Sequence, residues 1–515
     1  MNHESNPATS TRLPLPSAGH LVPTLLASAL VLTGCSMAPS YERPSFTTPT
    51  AFKEAAPVDT NWKLAQPSED VARGEWWKAF NDETLNRLET DALAANQDLK
   101  AAAARVGQAR ALEQSARAGL FPQIGVGIGA TRQKPSPASQ GLAPDAETNA
   151  TTLWRGQASF SYEADLFGRV SSIADAARFD AERNAALFHS TLLALQADVA
   201  QAYFLVRELD ATQAVYADTV KLRSETLKLF QRRFDEGDIS ELDMRRAETE
   251  LAAAQSDSLG ISRQRAVAEH ALAILLGKTP AAFSLPQQPL TRLALAVPAV
   301  LPSTLLERRP DIAAAERSMA AANARIGAAK SAYFPRLDLT GSLGYESGTL
   351  GELFKHASRA YVFGPLVGTL LTLPIFDGGS REAGVNRAKA AYEEDVANYR
   401  QAVLKAFKEV EDNLANLRIL NDQNKAQDEA VNSSTRAAKL SHVQYQEGAV
   451  SYLSVIDADR SVLLQQRVAV QLDGERARAT VNLIRAIGGS WDVTSQTNTV
   501  PAEAIGLSTV SVHGS

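Results

Sequence analysis

The chain has 515 residues, of which 45% are hydrophobic and 21% charged, so it is long enough and apolar enough to bury a sizeable core. Its formal net charge of −6 and pI near 5.8, without any run of Lys and Arg, argue against a nucleic-acid partner. Its seven histidines are scattered, and no pair has the helical spacing of metal ligands, which argues against a metalloenzyme.

Residues 1–34 are predicted to be a lipoprotein signal peptide that is removed. The apolar segment Leu21–Leu32 has about 12 residues, too few for the roughly 20 that span a bilayer as a helix. The tetrapeptide LTGC, which ends at Cys35, resembles the lipobox of bacterial lipoproteins. This resemblance implies that Cys35 becomes the first residue and carries covalent diacylglycerol and an N-acyl chain such as palmitate. Apart from this lipid, no cofactor and no metal are predicted.

Residues 35–75 are predicted to form an extended, lipid-anchored arm. They contain five prolines, a residue that is unsuited to the interior of helices and sheets. The arm would therefore connect the lipid to the folded body. At the other end of the chain, the polar stretch 492–515 shows no periodicity and is predicted to be a flexible tail.

The body between these segments is an internal duplication. Its two glycine-centred turns, FDEGDIS and YQEGAVS, lie 211 residues apart, and the strand entries GLFPQ and AYFPR lie 213 apart. Each copy is predicted to contain a helix, a β-hairpin, a long helix, a turn and a return helix. The predicted ranges are 76–303 and 304–491 for the copies, 121–166 and 334–376 for the hairpins, 170–234 and 380–444 for the long helices, and 277–303 for an equatorial linker that ends the first copy.

The two long helices are predicted to form coiled coils. Each has about 65 residues without proline, which corresponds to roughly 98 Å of helix. Apolar residues recur at seven-residue steps, as at Val199 and Val206 in the first copy and at Val403 and Val410 in the second. The shorter return helices are expected to run antiparallel along them.

Alternation of polar and apolar residues predicts strands, most clearly in Gln157–Leu166 and Pro335–Tyr345, whereas a fourth strand over Val362–Phe376 alternates poorly. Such strands suit either a transmembrane β-barrel or a soluble, half-exposed sheet. One chain supplies only four strands, whereas a membrane barrel needs at least about eight and cannot leave an open edge in hydrocarbon. A chain that spans the membrane must therefore oligomerise. The glycine-rich GVGIGA of the first strand lacks the spacing of a dinucleotide-binding loop, so an enzyme is disfavoured.

The segment Leu305–Pro335, LLERRPDIAAAERSMAAANARIGAAKSAYFP, resembles the signature of outer-membrane efflux lipoproteins of the NodT/OprM type, within the TolC-like superfamily. The resemblance implies an α+β membrane protein in which a duplicated unit gives four transmembrane β-strands and a long antiparallel helical coiled-coil barrel per chain. A homotrimer would share one 12-stranded β-barrel in the cell outer membrane, with a helical domain in the periplasm.

The function that this resemblance implies is a passive exit duct for small molecules such as antibiotics or toxic compounds. The duct would belong to a tripartite efflux pump with a periplasmic adaptor protein and an inner-membrane transporter of the RND type. The alternative is a TolC-like duct for a type I protein secretion system, which would have the same geometry. A lipid-anchored coiled-coil scaffold without a pore would leave the strands unexplained.

The resemblance also assigns roles to residues at the two turns. The gate residues it implies are Asp457, Tyr445 and Ser454, and the residues that would dock the adaptor are Gly237, Asp238, Ile239, Gly448, Ala449 and Val450. Ser454 stands where TolC has a second aspartate, and Val450 where TolC has an arginine. A ring of three Asp457 carboxylates at a constriction would repel anions and bind cations. The alternative for Asp457 is a solvated helix face or a salt bridge to a neighbouring arginine.

Overall fold

The computed structural model describes residues 37–44, 52–54, 74–292, 308–364 and 371–489. The predicted signal peptide, Cys35, most of the arm, the end of the linker and the predicted tail lie outside the described residues. The helices are α1 (Glu83–Ala95), α2 (Gln97–Ala118), α3 (Arg169–Asp235), α4 (Glu241–Leu275), α5 (Pro310–Ser331), α6 (Ser380–Gln446) and α7 (Tyr452–Ala486). The strands are β1 (Gln123–Gln133), β2 (Thr151–Ala164), β3 (Arg336–Ser347), β4 (Arg359–Phe363) and β5 (Leu371–Thr372).

The long helices α3 and α6 have 67 residues each, and the return helices α4 and α7 have 35 each. At 1.5 Å per residue, a long helix therefore measures about 100 Å. The predicted seam positions Val199, Val206, Val403 and Val410 are all buried. Contacts from α3 to α4 move backwards along α4 as they advance along α3, so the two helices are antiparallel, as predicted. Within the described ranges, no helix is both long enough and apolar enough to cross a membrane.

The strands form one antiparallel sheet in which β1 pairs with β2, β2 with β3, and β3 with both β4 and β5. Directly paired residues project from the same face of an antiparallel sheet, so the register assigns each side chain to a face. One face is apolar and solvent-exposed in the single chain, with Ile124, Val126, Ile128, Leu343, Tyr361 and Phe363 between 56% and 87% exposed. The opposite face carries the polar residues Gln157, Ser159, Ser161, Thr340 and Ser342. An exposed apolar surface of this extent marks contact with lipid or with another protein.

The prediction of a single fourth strand over Val362–Phe376 is wrong in its start, since β4 begins at Arg359, and residues 365–370 of the predicted strand lie outside the described residues. The structure has two short pieces, β4 and β5, which both pair with β3. Gly341 lies opposite Phe363 while Leu337 lies opposite Leu371, so four steps along β3 correspond to eight along the returning chain. Gly364, with φ of 128°, directly follows β4 in a conformation that favours glycine. A segment that is apolar on both faces carries no alternation from which its register could be deduced.

Each long helix begins at an aspartate that binds its first backbone amides. Asp165 accepts hydrogen bonds from two amides at the start of α3, at 2.9 and 2.7 Å, and Asp377 accepts from two around the start of α6, both at 3.1 Å. An arginine follows each aspartate by four residues, and Arg381 Nε donates to Asp377 at 2.6 Å. These carboxylates satisfy amides that have no partner inside the helix, and so they fix the corner between strand and helix in both copies.

The helix before the first hairpin is broken where the sequence predicts one continuous helix over Thr84–Leu120. Asn96, with an extended ψ of 131°, separates α1 from α2. Its Oδ1 accepts a hydrogen bond from the amide of Leu99, and its Nδ2 donates to the carbonyl of Leu275 at the end of α4, both at 2.9 Å. One side chain thus caps two helices. Its second partner lies 179 residues away, so local sequence could not reveal the break.

The chain divides into two compact units, and each takes segments from both copies of the repeat. The first contains the described residues within 1–42, 111–179 and 320–394, and the second those within 43–110, 180–319 and 395–515. The strands belong to the first unit. In the second unit, Trp76, Trp77, Phe80 and Phe204 belong to one large apolar core, with the rings of Phe80 and Phe204 centred 5.1 Å apart. This aromatic group was not predicted as a core from the sequence.

Glu89 on α1 is a buried carboxyl group without a hydrogen-bond partner. Its side chain belongs to the second unit and is 0% exposed, and neither carboxyl oxygen has a partner among the described residues. Burial raises the pKa of Glu89 from 4.5 to about 9 because desolvation disfavours the charged form. At neutral pH the folded protein therefore holds this group protonated.

We predict that Glu89→Gln stabilises the fold most at alkaline pH. Because the folded pKa is about 9 and the unfolded pKa 4.5, the side chain is protonated in both states below pH 4.5, and stability is lost progressively as the pH rises from 4.5 to about 9. A neutral amide of similar shape avoids this loss. Thermal unfolding of the purified protein should show a melting temperature several degrees above the native one at pH 8.5 and a smaller gap at pH 5.

The control is Glu83→Gln, on the exposed face of the same helix. Its effect on the melting temperature should be small and independent of pH. An equal gap for Glu89→Gln at both pH values would show that Glu89 is ionised in the folded protein.

Candidate functional site

Two helical hairpins end in glycine turns of the same construction. Gly237 follows α3 and Gly448 follows α6, with φ of 82° and 73°. In each turn the glycine amide bonds to a carbonyl three residues back, at 3.0 Å, and the next amide bonds to a carbonyl five residues back, at 2.7 and 2.8 Å. This is the Schellman motif, whose left-handed residue glycine supplies without steric penalty. Each glycine therefore ends its long helix and lets the chain reverse.

The predicted docking residues all lie in these two turns. They are Gly237, Asp238 and Ile239 in the first turn and Gly448, Ala449 and Val450 in the second; Asp238 and Ala449 are exposed, whereas Ile239 and Val450 are half-buried. A serine then begins each return helix. Ser240 Oγ accepts a hydrogen bond from the Asp243 amide at 3.2 Å and donates to the Asp243 carboxylate at 2.9 Å, whereas in the described residues Ser451 makes no side-chain cap. The first turn is therefore capped and carries a charged side chain at Asp238, where the second turn has Ala449.

An aromatic cluster joins the two hairpins next to the turns. Phe230 on α3 lies 4.4 Å from Tyr452 on α7, measured between ring centroids, and Tyr445 on α6 lies 5.7 Å from Tyr452. The other members of the cluster are apolar: Leu227, Ile239, Ala247, Val455 and Ile456. Phe230 belongs to the first hairpin and both tyrosines to the second, so burial of these rings holds the hairpins together here.

Tyr445 also makes a polar link to the first hairpin. Arg233, in the last turn of α3, lies close to its hydroxyl, and Asp243 on α4 lies within electrostatic range. Burial raises the pKa of Tyr445 above its usual value, and Arg233 opposes that rise. The arginine next to the Tyr445 hydroxyl therefore comes from the other hairpin.

Glu250 on α4 is buried and is bound by two arginines. Arg223 of α3 lies 3.0 Å from the Glu250 carboxylate and donates to its backbone carbonyl at 2.6 Å. Arg460 of α7 donates to the other carboxylate oxygen. We name Arg223, Glu250 and Arg460 the Glu250 latch, because Arg460 comes from the second hairpin and the other two residues from the first. The Glu250 side chain is 8% exposed, so the carboxylate that both arginines contact is shielded from water.

Asp457, the predicted gate residue, lies beside this latch on the exposed side of α7. Its side chain is 64% exposed, and its Oδ1 lies 3.8 Å from Nη1 of Arg460, one turn further along the helix. Ser454, one turn earlier, is exposed as well. A pair this exposed contributes roughly 0–1 kcal/mol. Asp457 therefore presents a charge to solvent while it touches the latch.

A second ionisable pair closes the second hairpin. His442 Nε2 on α6 lies 2.9 and 3.1 Å from the two carboxylate oxygens of Asp459 on α7.

Burial raises the pKa of Tyr452 to about 12, and the nearby charges of Asp459 and Glu250 add to the rise. Acidic groups from both hairpins thus lie around the aromatic cluster.

Several of these residues were not predicted from the sequence, namely Arg223, Arg233, His442, Glu250, Asp459 and Arg460. Arg460 could have been found, since it follows Asp457 by three residues on a helix, a spacing that pairs opposite charges. The pairing of Glu250 with Arg460 could not have been found, because Arg460 lies 210 residues away. The duplication gives no hint either, since the position that corresponds to Glu250 in the second copy is Ser461. Among the described residues, no group of three or more His, Cys, Asp or Glu is placed to hold a metal ion.

Comparison with known proteins gives consistent matches over most of the chain. The family model for outer membrane efflux proteins matches residues 88–278 and 301–489. Outer membrane protein OprJ of Pseudomonas aeruginosa is 37% identical over 474 residues, covering 91% of this chain and 95% of the relative. The cation efflux system protein CusC of Escherichia coli is 32% identical over 467 residues, covering 90% and 97%. The toluene efflux pump outer membrane protein TtgF of Pseudomonas putida is 33% identical over 483 residues, covering 91% and 96%.

Solved structures agree with these relatives. The outer-membrane channel OprN has a TM-score of 0.79 at 28% identity, covering 89% of this chain and 100% of that chain. The open state of the MtrE outer membrane channel of Neisseria gonorrhoeae has a TM-score of 0.76 at 30% identity, covering 88% and 98%. The predicted efflux channel fold is confirmed, and so is the prediction that the chain is not an enzyme, because the family consists of efflux proteins. The chain belongs to the outer membrane efflux protein family.

Proposed function

We propose that three copies of the chain form the passive exit duct of a tripartite efflux pump, with one 12-stranded β-barrel in the outer membrane and a helical tunnel in the periplasm. The observation that carries this proposal is the sheet, with an exposed apolar face, a polar face and outer edges, on β1 and β4, that pair with no further strand among the described residues. Edges of this kind cannot face hydrocarbon unpaired. If each copy pairs its β1 with the other edge of the next copy, the barrel closes, with lipid outside and a polar lumen inside.

The substrates we propose are small molecules such as antibiotics or toxic compounds. The names of the similar proteins concern efflux of toluene and of cations, and another relative, ArpC of Pseudomonas putida, is an antibiotic efflux pump outer membrane protein that is 33% identical. These names favour small-molecule efflux over protein secretion by a type I system. The pump would also comprise a periplasmic adaptor and an inner-membrane transporter of the RND type.

Lipid on Cys35 completes the proposed attachment to the outer membrane. The lipobox-like LTGC carries this part of the proposal. No other cofactor is needed, since a duct performs no chemistry.

The hairpin tips serve as the adaptor-docking end and as the gate. In the closed state the second hairpin is held against the first by the aromatic cluster, by Arg233 on Tyr445 and by the Glu250 latch. Opening requires α6 and α7 to move away from α3 and α4, which breaks the bonds of Arg460 and Tyr445 but leaves Arg223 on Glu250. Asp457 moves with α7, so the three Asp457 carboxylates move apart as the pore widens.

The first prediction concerns oligomeric state. Native mass spectrometry of the full chain purified in detergent should give three times the monomer mass, because the open sheet edges need partners. A monomeric species under conditions in which the protein conducts in planar bilayers would refute the shared barrel.

The second prediction concerns Asp457. Asp457→Asn should lower the cation preference of the planar-bilayer conductance severalfold, because three carboxylates leave the constriction. Asp422→Asn is a matched control, since Asp422 is likewise exposed and lies 3.3 Å from a basic residue three positions further on, Lys425. Unchanged selectivity in Asp457→Asn would remove this residue from the gate.

The third prediction concerns the latch. Arg460→Ala should raise the open probability of single channels about fivefold or more, because each copy loses an interhairpin bond of the order of 1 kcal/mol at this exposure. Arg245→Ala is the matched control, because Arg245 pairs only with Glu241 and Glu248 of its own helix in the described structure. Equal open probabilities for the two variants would exclude the latch from gating.

A further inference from the structure

The described parts of the N-terminal arm are bound to the second copy of the repeat. In the first unit, Ala38 packs against Gly327 of α5 so closely that a Cβ on the glycine would come within 2.6 Å of the Ala38 Cβ and 2.7 Å of its Cα. One turn earlier, Asn323 Nδ2 donates to the carbonyl of Pro39 at 2.8 Å. The glycine thus leaves a notch in α5 that the arm backbone fills.

In the second unit the arm makes polar contacts at Arg43. Its Nε donates to the hydroxyl of Tyr399 on α6 at 3.1 Å, and its Nη2 lies 3.5 Å from the carboxylate of Glu316 on α5. Tyr399 is 1% exposed and the Glu316 side chain 7%, so Arg43 binds groups that are already shielded from water.

Residues 52–54 form a second point of attachment on α6. Phe52 is 4% exposed, with its ring centred 6.1 Å from that of Phe407. Both oxygens of Glu411 accept backbone hydrogen bonds, from the amides of Lys53 at 2.7 Å and Glu54 at 3.1 Å. Arg418 then donates to the Glu54 carboxylate at 2.6 Å. An aromatic anchor and a carboxylate that binds two backbone amides make a built site rather than a passing contact.

The contacts occur in the same order along the arm and along α6. Arg43, Phe52, Lys53 and Glu54 meet, in turn, Tyr399, Phe407, Glu411 and Arg418. The positions from Tyr399 to Arg418 span about 28 Å of helix, and the chain from Arg43 to Glu54 reaches about 36 Å when extended. The chain between Arg43 and Glu54 is therefore long enough to join the two described points of attachment.

We propose that residues 37–44 and 52–54 act as a strap, a docked element that holds the N-terminus at a fixed place on the second repeat and braces α5 and α6. Cys35 precedes the first described residue of the strap by two positions. The role of the strap in positioning lipid rests on the proposed function. If Cys35 carries lipid, the strap confines its acyl chains close to the Gly327 notch.

Limited proteolysis of the full chain in detergent tests the strap. The Lys53 side chain is 87% exposed, so a lysine-specific endoprotease can recognise it, but the Lys53 and Glu54 amides are bound to Glu411 and must be released before cleavage. Cleavage after Lys53 should be slow in the native protein. We expect Glu411→Ala to accelerate it about tenfold and Phe52→Ala to accelerate it more, measured by the appearance of a new N-terminus at Glu54 in intact-mass spectra.

The matched control is Asp412→Ala, which removes the neighbouring carboxylate. Asp412 is exposed and binds Lys408 of its own helix, so cleavage after Lys53 should keep the native rate. Equal rates of cleavage in all four proteins would overturn the strap. The same spectra report acyl chains on Cys35: their absence, with Lys53 still protected, would remove the lipid anchor and leave the strap standing.

Discussion

The structure depends on a sheet that cannot exist alone in water. On its apolar face, Ile124, Val126 and Phe363 are each more than half exposed, and its outer edges have no strand partner in the part of the chain that the structure describes. Exposing the apolar face to water is unfavourable, and exposing unpaired backbone groups to lipid is unfavourable as well. Assembly of several copies into a closed wall satisfies both at once. The polar face, with Gln157 and Ser161, then encloses a space that substrate and water can enter.

The helical part follows a different rule, in which long antiparallel pairs are joined at a few defined places. At the tips, the aromatic cluster contributes undirected apolar burial, whereas the Glu250 latch contributes directed, charged bonds. A directed bond breaks over a short movement, and apolar burial is lost gradually, so this combination suits an element with two positions. The helix α6 takes part in two of these connections. It contributes Tyr445 to the aromatic cluster, and it binds the strap between Tyr399 and Arg418.

Much of this architecture was predictable because it is periodic. Seven-residue repeats such as Val199 and Val206, the strict alternation of Gln157–Leu166 and the paired glycines Gly237 and Gly448 report local geometry directly. What escaped prediction depends on single side chains with distant partners. Asn96 breaks a helix because it caps the end of α4, and Glu250 is a latch only because Arg460 arrives from the other hairpin.

The start of the fourth strand was mispredicted for the opposite reason. Val362–Phe376 is apolar on both faces, so its sequence contains no signal for where a strand should break or shift its register. For the gate, the exposed position of Asp457 agrees with a residue that acts on passing ions, and its contact with Arg460 is the salt bridge considered as the alternative.

In the proposed barrel the two faces of the sheet meet different solvents, lipid outside and water inside. Spin labels on cysteines introduced at Val126, on the apolar face, and at Gln157, on the polar face, measure this directly in reconstituted vesicles. Cys35 is the only natural cysteine, so a Cys35→Ser background gives labels at defined sites. A label at Val126 should be accessible to oxygen in the lipid, and a label at Gln157 should be accessible to a water-soluble nickel complex. Equal access of the nickel complex to both labels would contradict this arrangement of the two faces.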